Sequence, residues 1–222
     1  MVSRRLAAIV TAIALCITGT ALAPAGASAQ DPILFVHGYT ESASVWKTMI
    51  SNFEKNGYSK SELSAYSYNT SQSNVIDAEN EVKPRVETLL KNTGATKVDI
   101  IAHSMGSLNS RYYIKNLGGE SKVDDWVSLG GPNHGTETAN FCFSASCVEM
   151  RVGSKFLAEL NATDETPGAV NYGTWWSPCD EIINPDSSVA LSGATNTKTA
   201  CISHSALMSD STVFGQVREF VK

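Results

Sequence analysis

The stretch Lys97-Val98-Asp99-Ile100-Ile101-Ala102-His103-Ser104-Met105-Gly106-Ser107-Leu108 constrains what this chain can fold into more than any other. Val98 to Ala102 is a short, β-branched apolar run that reads as a buried strand, and a helical pattern starts at Met105 with no residues left over for a loop. A strand that becomes a helix across a single serine needs a sharp, strained turn. Small residues at positions 102 and 106 let the two elements approach without a clash. Such a turn holds the Ser104 hydroxyl out over the sheet, beside a helix N-terminus that favours developing negative charge.

The rest of the chain repeats the alternation. Strands are expected at Ile33 to Val36, Leu63 to Tyr68, Val123 to Leu129, Ala169 to Trp176 and Lys198 to Ile202. Helices are expected over 43–56, 75–91, 105–116, 155–160 and 211–221, with Pro84 predicting a kink or a late start in the second. Together these predict an α/β fold of about six mostly parallel strands with helices on both faces. No repeat, linker or insertion of lid-domain size interrupts residues 30–222, which read as one domain.

Residues 1–29 stand apart. Arg4 and Arg5 precede an apolar run from Leu6 to Ile17, and a small-residue stretch ends at Ala27-Ser28-Ala29. This is the pattern of a secretory signal peptide, cleaved before Gln30 or Asp31. The apolar run is too short for a membrane anchor, and Pro24 and Gly26 interrupt the small-residue stretch beyond it. The expected mature protein is therefore secreted, extracellular, without a stable membrane anchor, and monomeric. Losing two of the 17 Lys and Arg leaves 15 against 22 Asp and Glu, a net charge of −7 without blocks of either sign. That argues against a nucleic-acid partner. Cys142, Cys147, Cys179 and Cys201 remain after cleavage, and their spacing favours the pairs 142–147 and 179–201. No C-x-x-C or nearby His supports zinc, and neither a catalytic metal nor an organic cofactor is expected.

Ser104 needs a base, and the chain has four histidines. His37 belongs to the turn Phe35-Val36-His37-Gly38-Tyr39, His103 sits inside the serine turn, and His134 reads as a loop-ordering residue. His204, after the last strand and before the final helix, stands where a chain order Ser…Asp/Glu…His requires a base. Asp180 follows the preceding strand and is the expected acid, with Glu181 and Asp186 as rivals. The backbone N–H groups of Met105 and Tyr39 are the expected oxyanion donors. A 179–201 bridge would tie the acid loop to the base loop.

These residues resemble the small bacterial lipases of the α/β-hydrolase fold (lipase class 2). The resemblance rests on Phe35-Val36-His37-Gly38-Tyr39, Ala102-His103-Ser104-Met105-Gly106, Leu129-Gly130-Gly131-Pro132-Asn133-His134-Gly135-Thr136, Asp180 and Ser203-His204. Alanine in place of the first glycine of G-x-S-x-G is itself a feature of that family's small members. The resemblance implies a compact hydrolase without a large lid and hydrolysis of acyl esters, glycerides included, with an acyl ester or lipid as substrate. The segment 140–165 fits it less closely. Tyr39, Phe141, Phe143, Trp175 and Trp176 are expected near the C-terminal strand edges, where α/β sheets bind ligands. Without a lid domain, little interfacial activation is expected. A thioesterase, amidase or acyltransferase would use the same residues, and a non-catalytic lipid-binding member of the fold would be expected to have lost one.

Overall fold

A computed structural model describes residues 30–221; the expected signal peptide at 1–29 lies outside the described residues. The chain enters as β1 (Ile33–Val36), passes through a 3-10 turn into α1 (Lys47–Lys55), and forms the short edge strand β2 (Leu63–Ala65). Helices α2 (Asn74–Asp77) and α3 (Lys83–Thr93) lead into β3 (Val98–His103), which runs into α4 (Gly106–Asn116). After β4 (Val123–Leu129), the short helices α5 (Ala145–Glu149) and α6 (Lys155–Leu160) precede β5 (Asn171–Trp176). The chain closes with β6 (Thr195–Lys198) and α7 (Ser211–Phe220).

The six strands form one sheet in the order β2-β1-β3-β4-β5-β6. Every neighbouring pair is parallel. Alternation along the strands sorts the core into two layers. Leu34, Val36, Ile100, Ala102 and Trp126 pack with Val86 and Leu89 of α3 and with Tyr113 and Ile114 of α4. Ile33, Phe35, Ile101, Val127 and Leu129 pack with Met49 and Phe53 of α1 and with Val213 and Val217 of α7. Each fully buried side chain of this size contributes roughly 1.5–3 kcal/mol. A sheet covered on both faces explains why β1 reads as an unbroken apolar run and why β3 is buried along its whole length.

Several elements differ from expectation. The helix expected over 75–91 is split by a π-type stretch, Ala78–Val82, that ends two residues before Pro84. Proline cannot donate to the carbonyl four residues back and crowds it, so the ladder is interrupted there. Beyond the break Pro84 sits in the first turn of α3, where its missing N–H costs nothing. The last strand is Thr195–Lys198, earlier than Lys198 to Ile202. Its residues are largely solvent-exposed, so apolar content could not locate it. Residues 200–202 are instead pinned by Ser177, whose Oγ donates toward the Ala200 and Ile202 carbonyls and accepts the Ile202 N–H at 3.0 Å. Trp175 is buried in the core with its Nε1–H donated to Gln216, and Trp176 lies beneath Lys198, so neither lines the cleft at Ser104.

Candidate active site

Ser104 has φ +53°, the left-handed region that a non-glycine residue enters only under constraint. The constraint is local. Its N–H is fixed to the Leu129 carbonyl of β4 at 2.9 Å, and its carbonyl accepts the Ser107 N–H at 3.0 Å. Gly106 then passes so close to the end of β1 that a Cβ there would lie 2.5 Å from the Val36 oxygen and 2.6 Å from that of His37. Gly38 approaches from the other side, where a Cβ would lie 2.7 Å from the Cβ of Ser104. The serine turn and the His37-Gly38-Tyr39 turn are thus in van der Waals contact through two residues that have no side chain.

Three tethers hold the second turn. Tyr68 donates its hydroxyl to the His37 carbonyl at 2.6 Å and is itself bonded by the Asn109 amide at 3.0 Å. The Gly38 N–H donates to Glu41 Oε2 at 2.7 Å, and the Thr40 N–H donates to Thr70 Oγ1 at 3.1 Å. The Tyr39 N–H lies between the last two and takes part in neither. Met105 is the first residue past Ser104, ahead of α4, where a backbone N–H has no partner four residues back.

His204 stands in the loop after β6. Its Nδ1 is 2.8 Å from Asp180 Oδ2, and the other Asp180 oxygen accepts the N–H groups of Ile182 and Ile183 at 2.9 Å each. Burial raises the Asp180 pKa, but the bond to His204, the charge on that ring and the two backbone N–H groups outweigh it and hold the carboxyl below its ordinary range. Glu181 is not a competitor for the ring: its Oε2 accepts the backbone N–H of His204 at 3.0 Å. Asp186 begins a separate 3-10 turn. Cys179 is bonded to Cys201 and Cys142 to Cys147, so the loop of Asp180 and the loop of His204 are covalently joined.

The other histidines have structural partners. His37 stacks on Tyr68 at 4.3 Å, and His134 pairs with Glu165 at 2.7 Å on the surface. His103 is fully buried, with Nδ1 2.9 Å from Glu41 Oε2 and its ring 4.5 Å from that of His204. Nothing in the sequence singled out Glu41, Tyr68, Thr70 or Ser177, because their roles depend on partners distant in the chain.

Ser104 and His204 open on one cleft of about 410 Å³, lined also by Tyr39, Thr40, Glu41, Phe141 and Ile182. A recess of about 70 Å³ extends from Ser104 past Ala139, Met150 and Ile183. Phe141 is 86% exposed on the rim; Phe143 is as exposed but lies outside the cleft lining, with Arg151 stacked against it.

A six-stranded parallel sheet with helices on both faces, a serine at the β3–α4 turn and a histidine–carboxylate pair from the loops after the last two strands define an α/β-hydrolase. The chain belongs to the lipase (class 2) family, whose model matches residues 30–219. Among solved structures, a lipase of Bacillus licheniformis in its mature form superposes with a TM-score of 0.78 at 18% identity, over 88% of this chain and 94% of its own. Lipase B of Aspergillus fumigatus gives 0.72 at 16% identity, over 83% and 51%. A triacylglycerol lipase of Pseudarthrobacter phenanthrenivorans is 29% identical over 125 residues, 52% of this chain and 37% of the relative. One from Pseudomonas fragi is 32% identical over 96 residues, 40% of this chain and 32% of the relative. The chain thus spans about a third of the length of these curated relatives.

Proposed function

We propose that this protein is a secreted serine carboxylic-ester hydrolase, a lipase or esterase acting on acylglycerols and related acyl esters. The observation that carries the reading is the His204–Asp180 bond at 2.8 Å, on a ring that opens on the same cleft as the strained Ser104. In this reading Ser104 Oγ attacks the ester carbonyl as His204 Nε2 takes its proton. Asp180 holds the ring in the tautomer with Nδ1 protonated and stabilises the imidazolium that forms. The N–H groups of Tyr39 and Met105 receive the oxyanion, a charge present only in the transition state and intermediate. The imidazolium then protonates the departing alcohol, leaving an acyl-enzyme, and water attacks that ester with the same base.

The apolar lining at Ile182, Ile183, Met150 and Phe141 suits an acyl chain, and the triacylglycerol lipases among the relatives support that substrate class. Two disulfides and the leader-like residues 1–29 support export, and the mature chain is read as a monomer. No helix among the described residues is long and apolar enough to cross a membrane. The test is hydrolysis of p-nitrophenyl esters from C2 to C16, and of emulsified triacylglycerol, by the mature protein beside Ser104→Ala. Activity abolished by the substitution supports the reading; an inert wild-type protein across all substrates overturns it.

A further inference from the structure

Glu41 is placed where no simple turn residue needs to be. Its Oε2 receives the Gly38 N–H at 2.7 Å and faces His103 Nδ1 at 2.9 Å. The Nε2 of that same ring lies 3.2 Å from the backbone carbonyl of His204. One carboxylate oxygen therefore begins a chain of contacts that touches the turn carrying the Tyr39 N–H, the residue before Ser104, and the backbone of the base. Glu41 also lines the cleft beside Ser104 and His204.

We propose that Glu41 is a positioning residue that, through Gly38 and His103, sets the oxyanion turn and the base loop at their working distance from Ser104. The inference rests on the hydrolase reading above. The physical reason is geometric. The Gly38 bond fixes the peptide unit next to the one that presents the Tyr39 N–H, and an oxyanion donor acts only if it is aimed where the charge will develop. His103 is fully buried between the turn and the base loop, so it works as a strut whose orientation Glu41 decides.

Charge fits the same arrangement. Burial holds the His103 ring below the usual histidine range, the Glu41 bond pushes it back, and the nearby His204 opposes a second cation. Burial raises the Glu41 pKa, but the bond to His103, the His103 charge, the Gly38 N–H and the His204 charge outweigh it and keep the carboxyl low. His37 is the remaining ring facing this group, and burial lowers its pKa. Both nitrogens of His103 face acceptors, Glu41 Oε2 and the His204 carbonyl, so both contacts are hydrogen bonds when the ring carries both protons, and a singly protonated ring with its proton on Nδ1 keeps the bond to Glu41.

The test uses the mature protein, a fluorophosphonate probe that labels the active serine, and a soluble p-nitrophenyl ester. All rates are expressed per labelled site, so an unfolded fraction does not imitate a catalytic defect. Glu41→Ala, which removes both bonds, is expected to lower kcat by about 10- to 100-fold with KM within twofold, since a donor's full loss costs about 10²–10³. Glu41→Gln keeps an acceptor oxygen for both N–H groups and is expected to recover kcat to within about fivefold of wild type. His103→Ala should lower kcat similarly, and the double variant should be no worse than the poorer single, as in groups that act as a unit. Glu41→Ala with kcat within twofold, a change confined to KM, or Glu41→Gln as impaired as Glu41→Ala overturns the inference while leaving the hydrolase reading intact. A wild-type protein that the probe does not label at Ser104 overturns both.

Discussion

Asp180 divides its carboxylate between two tasks: Oδ2 sits 2.8 Å from His204 Nδ1, while Oδ1 accepts the Ile182 and Ile183 N–H groups at 2.9 Å. The backbone bonds aim the carboxylate, and the aimed carboxylate sets the ring. Asp180→Asn keeps the shape but offers an amide donor to a ring that needs an acceptor, and kcat is expected to fall by about 10⁴. The depressed pKa also has a stability consequence. A carboxyl whose folded pKa is below its unfolded value of about 3.9 contributes stability above that value and loses it as pH falls through the folded pKa. Thermal unfolding below about pH 4 should therefore be steeper in pH for the wild type than for Asp180→Asn.

Asp77 has the opposite sign. It is fully buried, neither side-chain oxygen has a protein partner, and its pKa is pushed up to about 7 by burial and by the charges of Glu81 and Glu149. A raised carboxyl is most favourable to folding below the unfolded pKa of about 3.9 and loses that contribution as pH rises through about 7. Asp77→Asn should gain stability relative to wild type between about pH 4 and pH 7, reaching about 1–3 kcal/mol and then a plateau. At about 2–4 °C per kcal/mol this is readable as a Tm difference measured across pH. A Tm difference that does not change with pH would contradict the assignment.

Gly106→Ala places a methyl 2.5 Å from one backbone oxygen and 2.6 Å from another. Neither oxygen can move without shifting β1 or the turn at His37. A loss of about 1–3 kcal/mol in denaturant unfolding is expected, the usual size of overpacking. Activity should fall as well, because the displaced strand end carries the turn that presents Tyr39.

The two disulfides should differ in their effects. Cys179–Cys201 spans 22 residues and Cys142–Cys147 spans 5. Chain entropy assigns about 3 kcal/mol to the first and about 2 kcal/mol to the second. Replacing Cys179 and Cys201 by Ala should also depress kcat, since it frees the loop of Asp180 from that of His204. The corresponding change at 142 and 147 should alter long-chain substrates more than short ones, since Cys142 lines the cleft.

Phe141 stands on the cleft rim at 86% exposure. Phe141→Ser should leave Tm unchanged and spare C2 and C4 esters. For C12 to C16 esters kcat/KM is expected to fall about threefold to tenfold, the worth of about 1 kcal/mol of lost apolar contact. An equal loss across all chain lengths would place Phe141 outside the acyl path.

Legibility followed distance along the chain. The β3–Ser104–α4 turn and the buried strands are written in neighbouring residues, and the inner strands β1, β3 and β4 stand close to where the pattern of apolar residues puts them. The edge strands were harder to read. β2 ends at Ala65, where its ladder with β1 stops at the Phe35–Ala65 pair, and β6 is too polar for apolar runs to reveal.

By itself, then, the sequence determined an alternating α/β chain, a strained serine turn, and a short set of candidate bases and acids, because backbone preference and hydrophobic periodicity act over a few residues. Tertiary structure alone decided that Asp180 takes the His204 ring while Glu181 takes its backbone, and that Glu41 meets His103. Those partners are 24, 23 and 62 residues apart. They meet because strand order brings the loops after β1, β3, β5 and β6 to one edge of the sheet. Which oxygen then faces which nitrogen is a matter of loop geometry that no local pattern encodes.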